Sequence, residues 1–110
     1  MITWEDFEKV ELRAGTIVQI EDFPKAKKSA YKLWIDFGVD LGIKKSSAQI
    51  TTYYTKEELL GQQVLCVTNF PPRQVADFMS EVLTTGFILE DKSVVLSQIE
   101  REVPNGTRLA

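Results

Sequence analysis

The chain has 110 residues, of which 44% are hydrophobic and 26% charged, a composition that predicts one soluble globular domain over residues 1–110. It contains no histidine and one cysteine, which excludes Ser-His and Cys-His catalysis and cysteine metal clusters. No apolar run approaches the ~20 residues of a membrane span, and the N-terminus is unlike a secretory signal. We therefore expect a cytoplasmic protein without a metal or cofactor and without membrane insertion.

The net charge of −3 is unevenly distributed. Residues 24–56 contain seven lysines and two acids, whereas the rest of the chain contains six basic residues and fourteen acids. Because exposed charges more than about 10 Å apart are screened at moderate salt, a basic face can attract anions on an acidic protein.

The first predicted element is a short helix over Ile2–Val10, with Thr3 as its N-cap. Trp4 and Phe7 recur at a spacing of three and give the helix one apolar side. This side packs either on the protein's own core or on a partner subunit, and the sequence leaves both alternatives open.

The following strand is predicted over Val10–Glu21 because apolar and polar residues alternate. Val18 belongs to the inward series, and Gly15 indicates a bend or bulge. A loop with three lysines, Lys25, Lys27 and Lys28, then leads into a second strand over Tyr31–Phe37. On that strand Lys32 and Trp34 face outward, although the indole can also pack against a helix or a second subunit.

The third predicted strand, Ile43–Thr51, has two faces of different chemistry. Lys45, Ser47 and Gln49 lie on its polar face, which is the better candidate for a ligand face. Ser46 and Ala48 lie on the other face and are small enough for a crowded barrel wall.

A capped helix follows at Thr55–Gly61, because Thr55 and Glu58 have capping-box spacing. Further strands are predicted at Gln63–Phe70, Phe78–Leu89 and Ser93–Ile99. This order favours an all-β fold with short helices, a five-stranded OB-fold Greek-key barrel.

Sequence signatures of enzymes are absent, including the phosphate loop, the dinucleotide-binding glycine motif and the nucleophile elbow. We therefore predict a binding protein and not an enzyme. Arg73 follows two prolines that stiffen its loop, which lowers the entropic cost of presenting its guanidinium.

The segments ELRAGTI, FPKAKKSAYKLWIDFG, SSAQITTYYTKEELLG, NFPPRQVADFMSE and VPNGTRL resemble the tRNA-binding domain found in structure-specific tRNA-binding proteins and some methionyl-tRNA synthetases. The chain also resembles the stand-alone branch of this family, the CsaA-type export-related chaperones. The resemblance implies an OB-fold barrel whose terminal extensions form a homodimer, here with Trp4 and Phe7 at the interface.

In function, the resemblance implies binding of unfolded or precursor polypeptides, with tRNA as a further partner. The alternative is a structure-specific tRNA-binding protein that acts in trans. The apolar segment around Phe78 and Met79 favours polypeptide. The residues expected at the binding site are Lys44, Lys45, Ser47, Gln49, Asn69, Arg73, Phe78 and Ser80. The residues expected to contact phosphates are Lys27, Lys28 and Lys32.

Overall fold

The computed structural model describes all 110 residues and contains two short helices and nine strands. The helices are α1 (Trp4–Glu8) and α2 (Lys56–Leu59). The strands are β1 (Leu12–Asp22), β2 (Tyr31–Asp36), β3 (Ile43–Ala48), β4 (Gln63–Val67), β5 (Arg73–Val75), β6 (Phe78–Ser80), β7 (Leu83–Thr84), β8 (Gly86–Ile88) and β9 (Val94–Leu96).

Five strands form one antiparallel sheet in the order β3-β2-β1-β4-β7. The sheet curls until its two ends meet, because the amides of Glu81 and Val82 donate to the carbonyl of Lys45 at 2.8 and 3.2 Å. The hydroxyls of Ser46 and Thr84 also share a hydrogen bond of 2.8 Å across this seam. The result is a nearly closed five-stranded barrel, which confirms the predicted OB-fold.

The barrel interior is filled by the inward positions of β2 and β4, together with Leu59 from α2. Leu33, Ile35 and Phe37 alternate along β2 and are almost completely buried. Because successive side chains of a strand point to opposite faces, this period of two fixes which face of β2 meets the core. Ser46 is also fully buried, in agreement with its expected place in the barrel wall.

The inward series of β1 differs from the predicted one. A bulge between Ile17 and Gln19 changes the register with β2, so that Ile17 is fully buried whereas Val18 is 44% exposed. Gly15 is not the bulge. A Cβ atom at Gly15 would lie 2.6 Å from the side chain of Ile35, so the glycine permits close approach of neighbouring strands.

The predicted strand at Phe78–Leu89 is three short strands, β6, β7 and β8. The chain turns at Glu81 and Val82 to bond with Lys45, and this turn ends β6 and begins β7. β5 and β6 form a separate hairpin, and β8 and β9 form another.

Both helices begin with the capping boxes that their sequences indicate. Thr3 and Thr55 each accept a hydrogen bond from the amide three residues later. Helix α1 is shorter than the predicted Ile2–Val10 and has no buried residue, whereas α2 buries Leu59. No helix of the chain has the length and apolar character needed to span a bilayer.

The C-terminal residues return to the start of β1. Gly106 donates its amide to the carbonyl of Ala14, and Ala14 donates to Thr107. Asn105 accepts hydrogen bonds from Thr16 and Gln63. These contacts hold the chain ends beside each other on one side of the barrel.

Candidate functional site

The outer face of β2 and β3 carries the predicted polar and aromatic side chains. The register places Lys32 opposite Ser47 and Trp34 opposite Lys45. Directly opposed residues of an antiparallel pair project to the same face. Lys32, Trp34, Lys45 and Ser47 therefore lie together outside the barrel, as the alternation predicts.

This face is partly covered, because the β5–β6 hairpin folds over it. Phe78 of the hairpin is only 7% exposed. Its ring meets the rings of Phe23 and Trp34 edge to face, with centroid distances of 5.6 and 5.7 Å. Trp34 thus packs on the chain's own hairpin.

Two lysines complete this outer cluster. The ammonium of Lys32 lies 4.9 Å from the ring centre of Phe23 and 5.5 Å from that of Phe78. The ammonium of Lys45 lies 5.2 Å from the Phe78 ring. A cation over an aromatic face is held by the ring quadrupole. The ring of Phe78, which was expected at the binding site, is therefore enclosed by its own chain.

Polar contacts fix the hairpin in place. The Ser80 hydroxyl accepts from the Ser47 amide at 3.0 Å, and the Glu81 carboxylate accepts from the Lys45 amide at 3.0 Å. At the hairpin tip, Lys25 pairs with Asp77 at 2.8 Å. This hydrogen bond lowers the pKa of Asp77 and raises that of Lys25. The Ser80 hydroxyl therefore joins the hairpin to β3 and is not free to bind a ligand.

Beside the hairpin lies a groove in two adjoining parts, which share Ser47, Gln49, Arg73 and Val75. The first part, of about 370 Å³, is bordered by the basic loop Lys25–Lys28. The second part, of about 480 Å³, is bordered by Phe70, Pro71 and the segment 80–83. We call the whole the two-part groove. The first is the basic part, and the second, which we call the apolar part, exposes Phe70 and Leu83 beside the polar side chains of Arg73 and Glu81.

The basic part has charges free to meet a ligand. Lys27, Lys28 and Arg73 are exposed and have no carboxylate partner within salt-bridge distance. The apolar part exposes about half of the side chains of Phe70 and Leu83. Such a surface can hold an extended chain through hydroxyl, amide and apolar contacts together.

The structure separates two expected residues from this groove. The Asn69 side chain accepts from the Glu11 amide at 2.9 Å and donates to the Lys9 carbonyl at 2.7 Å. It therefore ties the end of α1 to the barrel. Lys44 lies opposite Ile35 in the ladder, so alternation places its side chain on the other face from Lys45.

Sequence reasoning missed Phe70, Val75 and Leu83 as lining residues. The sequence could have indicated Phe70, because an apolar residue before two prolines lies at the end of a strand and stays near the surface. Leu83 carried no such signal, since its exposure depends on the turn that closes the barrel at Glu81.

Neither Trp4 nor Phe7 belongs to the two buried hydrophobic clusters of the chain. Trp4 is 87% exposed, and with Ile2, Phe7 and Ala110 it borders a shallow apolar depression. We call these four residues the N-terminal patch. Trp4 therefore does not pack on the protein's own core, whereas the alternative of a partner subunit stays a prediction.

Cys66 lies in the barrel wall and is fully buried. Desolvation raises the pKa of its thiol to about 12, with a hydrogen bond to Thr84 acting in the opposite direction. Because the thiolate is the reactive form, this cysteine is unsuited to nucleophilic chemistry.

The profile of one protein family, described as "Putative tRNA binding domain", matches residues 12–108. Two solved chaperone structures cover the whole chain. The chaperone CsaA of Bacillus anthracis str. Ames is 50% identical with a TM-score of 0.94 over 99% of that chain. The CsaA chaperone protein of Picrophilus torridus is 46% identical with a TM-score of 0.91 over 100% of that chain.

The chain also resembles part of a tRNA synthetase. It is 35% identical over 111 residues to methionine–tRNA ligase 1 of Bacillus anthracis, which aligns with 98% of this chain. The alignment spans only 16% of the length of that ligase.

Proposed function

Because the chain belongs to the tRNA-binding domain family, in its CsaA-type branch, we propose that it is a non-enzymatic, export-related chaperone for unfolded or precursor polypeptides. We propose that it acts as a homodimer in the cytoplasm and also binds tRNA. The similarity to two CsaA chaperones over the full chain supports the chaperone role. The limited match to the tRNA ligase supports a role without catalysis.

The two-part groove is the observation that carries this proposal. An unfolded segment offers backbone amides and carbonyls together with exposed apolar side chains. The groove offers Ser47 and Gln49 for the first, and Phe70 and Leu83 for the second. Apolar contact area supplies the favourable free energy, while the polar groups keep the bound backbone hydrogen-bonded.

Aggregation of a chemically unfolded client tests the proposal. The intact chain should suppress light scattering by the client at stoichiometric amounts. Phe70→Ser and Leu83→Ser should each weaken this suppression, because both shorten the apolar part of the groove. Val39→Ser is the matched control, since Val39 is fully exposed on another loop. Absence of suppression by the intact chain would refute the chaperone role.

A tRNA-binding role is the second candidate, favoured by the unpaired charges of Lys27, Lys28 and Arg73. Phosphate contacts are electrostatic and release counterions, so affinity should decrease steeply with salt. Lys27→Gln and Lys28→Gln should weaken a tRNA gel shift, whereas Lys92→Gln on the β8–β9 hairpin should not. A shift that is absent at low salt argues against this role.

The homodimer is proposed through the N-terminal patch. An exposed indole beside an exposed phenyl ring is costly in water and is typical of an interface core. A two-fold dimer would present two grooves to one client chain, so binding of the second site would become intramolecular.

A further inference from the structure

The outer face of β2 and β3 has the chemistry of a nucleic-acid stacking surface. Phe23 and Trp34 provide aromatic rings, and Lys32 and Lys45 provide positive charge beside them. Proteins that bind single-stranded nucleic acid combine these two elements, because every base has a face that can stack on an aromatic ring. We call these four residues the aromatic–basic platform.

We propose that Phe78 is a specificity-determining residue, which occupies this platform from within the chain and prevents nucleobases from stacking there. Its ring contacts both aromatic residues of the platform, at 5.6 Å from Phe23 and 5.7 Å from Trp34. Only 7% of the residue remains exposed. The platform therefore already holds an aromatic group, and a base can stack only after that group leaves.

Phe78 also engages the charges of the platform. The ammonium groups of Lys32 and Lys45 lie 5.5 and 5.2 Å from its ring centre. While they rest over this ring they are directed to the hairpin and not to a phosphate backbone. RNA contacts are thereby confined to the basic part of the two-part groove, and the apolar part remains for polypeptide. Only this division of the groove between RNA and polypeptide rests on the proposed function.

Replacing Phe78 tests the inference directly. In a Trp4→Phe background, Trp34 is the sole tryptophan, so its fluorescence reports on the platform. Phe78→Ala should make Trp34 more accessible to acrylamide and raise the affinity for a single-stranded RNA oligonucleotide about tenfold, as expected for one stacked base. The slope of log affinity against log salt should steepen by about 1.4 if both released lysines meet phosphates.

Met79→Ala is the matched control, because Met79 lies on the same hairpin but is 43% exposed. It should leave RNA affinity unchanged. Adding Trp34→Ala to the Phe78→Ala variant should remove the gain in affinity. A folded Phe78→Ala variant, verified by circular dichroism, that binds RNA no better than the intact chain would overturn the inference.

A second measurement decides the matter if loss of the ring unfolds the variant. RNA is titrated into the Trp4→Phe chain with Phe78 in place, and Trp34 emission should stay constant as RNA binds. Quenching of Trp34 by RNA would show that the platform is open and would contradict the inference. The aggregation assay is independent of both results, so loss of client protection refutes the chaperone role and leaves the role of Phe78 standing.

Discussion

At the scale of single residues, two glycines allow the chain to close on itself. Gly38 and Gly106 both have φ of +90°, a conformation that side chains with a Cβ atom rarely adopt. Each also faces backbone from the other's turn, since Cβ atoms would lie 2.7 Å from the Asn105 carbonyl and 2.4 Å from the Phe37 carbonyl. The contact joins the C-terminal turn to the end of β2.

Gly106→Ala should therefore destabilise the protein more than Gly42→Ala. Both changes place a Cβ atom at positive φ, which costs about 1–2 kcal/mol, but only Gly106 also meets backbone. Gly42, with φ of +70°, has no atom within 4 Å of a built Cβ. Urea denaturation of both variants measures the difference. Equal losses of unfolding free energy would show that the close approach of the two turns contributes nothing.

At the scale of secondary-structure elements, local chemistry predicted most of the structure and tertiary contacts changed the rest. The capping residues Thr3 and Thr55 could be predicted from the sequence, because their hydrogen-bond partners lie only three residues away. The bulge at Val18 could not be predicted from the sequence, since it depends on how β1 bends to pair with both β2 and β4. The covering of the polar β3 face by Phe78 could not be predicted either, because the β5–β6 hairpin lies about thirty residues further along the chain.

The same capping box should contribute differently to the free energy of unfolding in the two helices. Thr55→Ala should lower the unfolding free energy by about 1 kcal/mol, because α2 holds Leu59 in the core. Thr3→Ala should fray α1 with a much smaller global effect, since α1 buries no residue. Chemical denaturation gives both values. An equal loss in the Thr3→Ala variant would show that α1 unfolds together with the barrel.

The part of the α2 cap that the Glu58 carboxylate makes should weaken in acid. Hydrogen bonds from Thr55 lower the pKa of the Glu58 carboxyl below its ordinary value. A carboxylate whose pKa is lower in the folded state stabilises the protein above its unfolded pKa, and this contribution disappears as pH decreases through the folded value. The melting temperatures of wild type and Glu58→Gln should thus differ at neutral pH and converge as the pH decreases through the lowered pKa of Glu58. A difference that persists in acid would assign the effect to something other than ionisation.

At the scale of the whole molecule, the barrel was predictable from strand order, whereas the exact lining of the groove was not. Ser47, Gln49 and Arg73 were identified because alternation and stiff prolines are local signals. Asn69 has the chemistry of a ligand group, but its amide is used to hold α1. Only the folded chain distinguishes polar groups that are already satisfied from those that remain free.

The N-terminal patch predicts the assembly state. Light scattering at micromolar concentration should give twice the chain mass of 12.5 kDa. Trp4→Glu should reduce this to the monomer mass, because it places a charge in the centre of the apolar contact. Val39→Glu, equally exposed elsewhere, should stay dimeric. A monomeric wild type would contradict the proposal, and a dimeric Trp4→Glu variant would place the interface on another surface.

The contacts that close the barrel along β3 continue from the start of β7 back into β6, and we call all of them the seam. They are made partly by side chains, since the Ser47 amide donates to the Ser80 hydroxyl and the Lys45 amide to the Glu81 carboxylate. Ser47, Ser80 and Glu81 also line the two-part groove. Anything that binds there only when the seam is closed must protect these amides from hydrogen exchange and raise the melting temperature in proportion to the logarithm of its concentration. For such a ligand, opening of the seam and occupancy of the groove are linked, so that either can be followed by measuring the other.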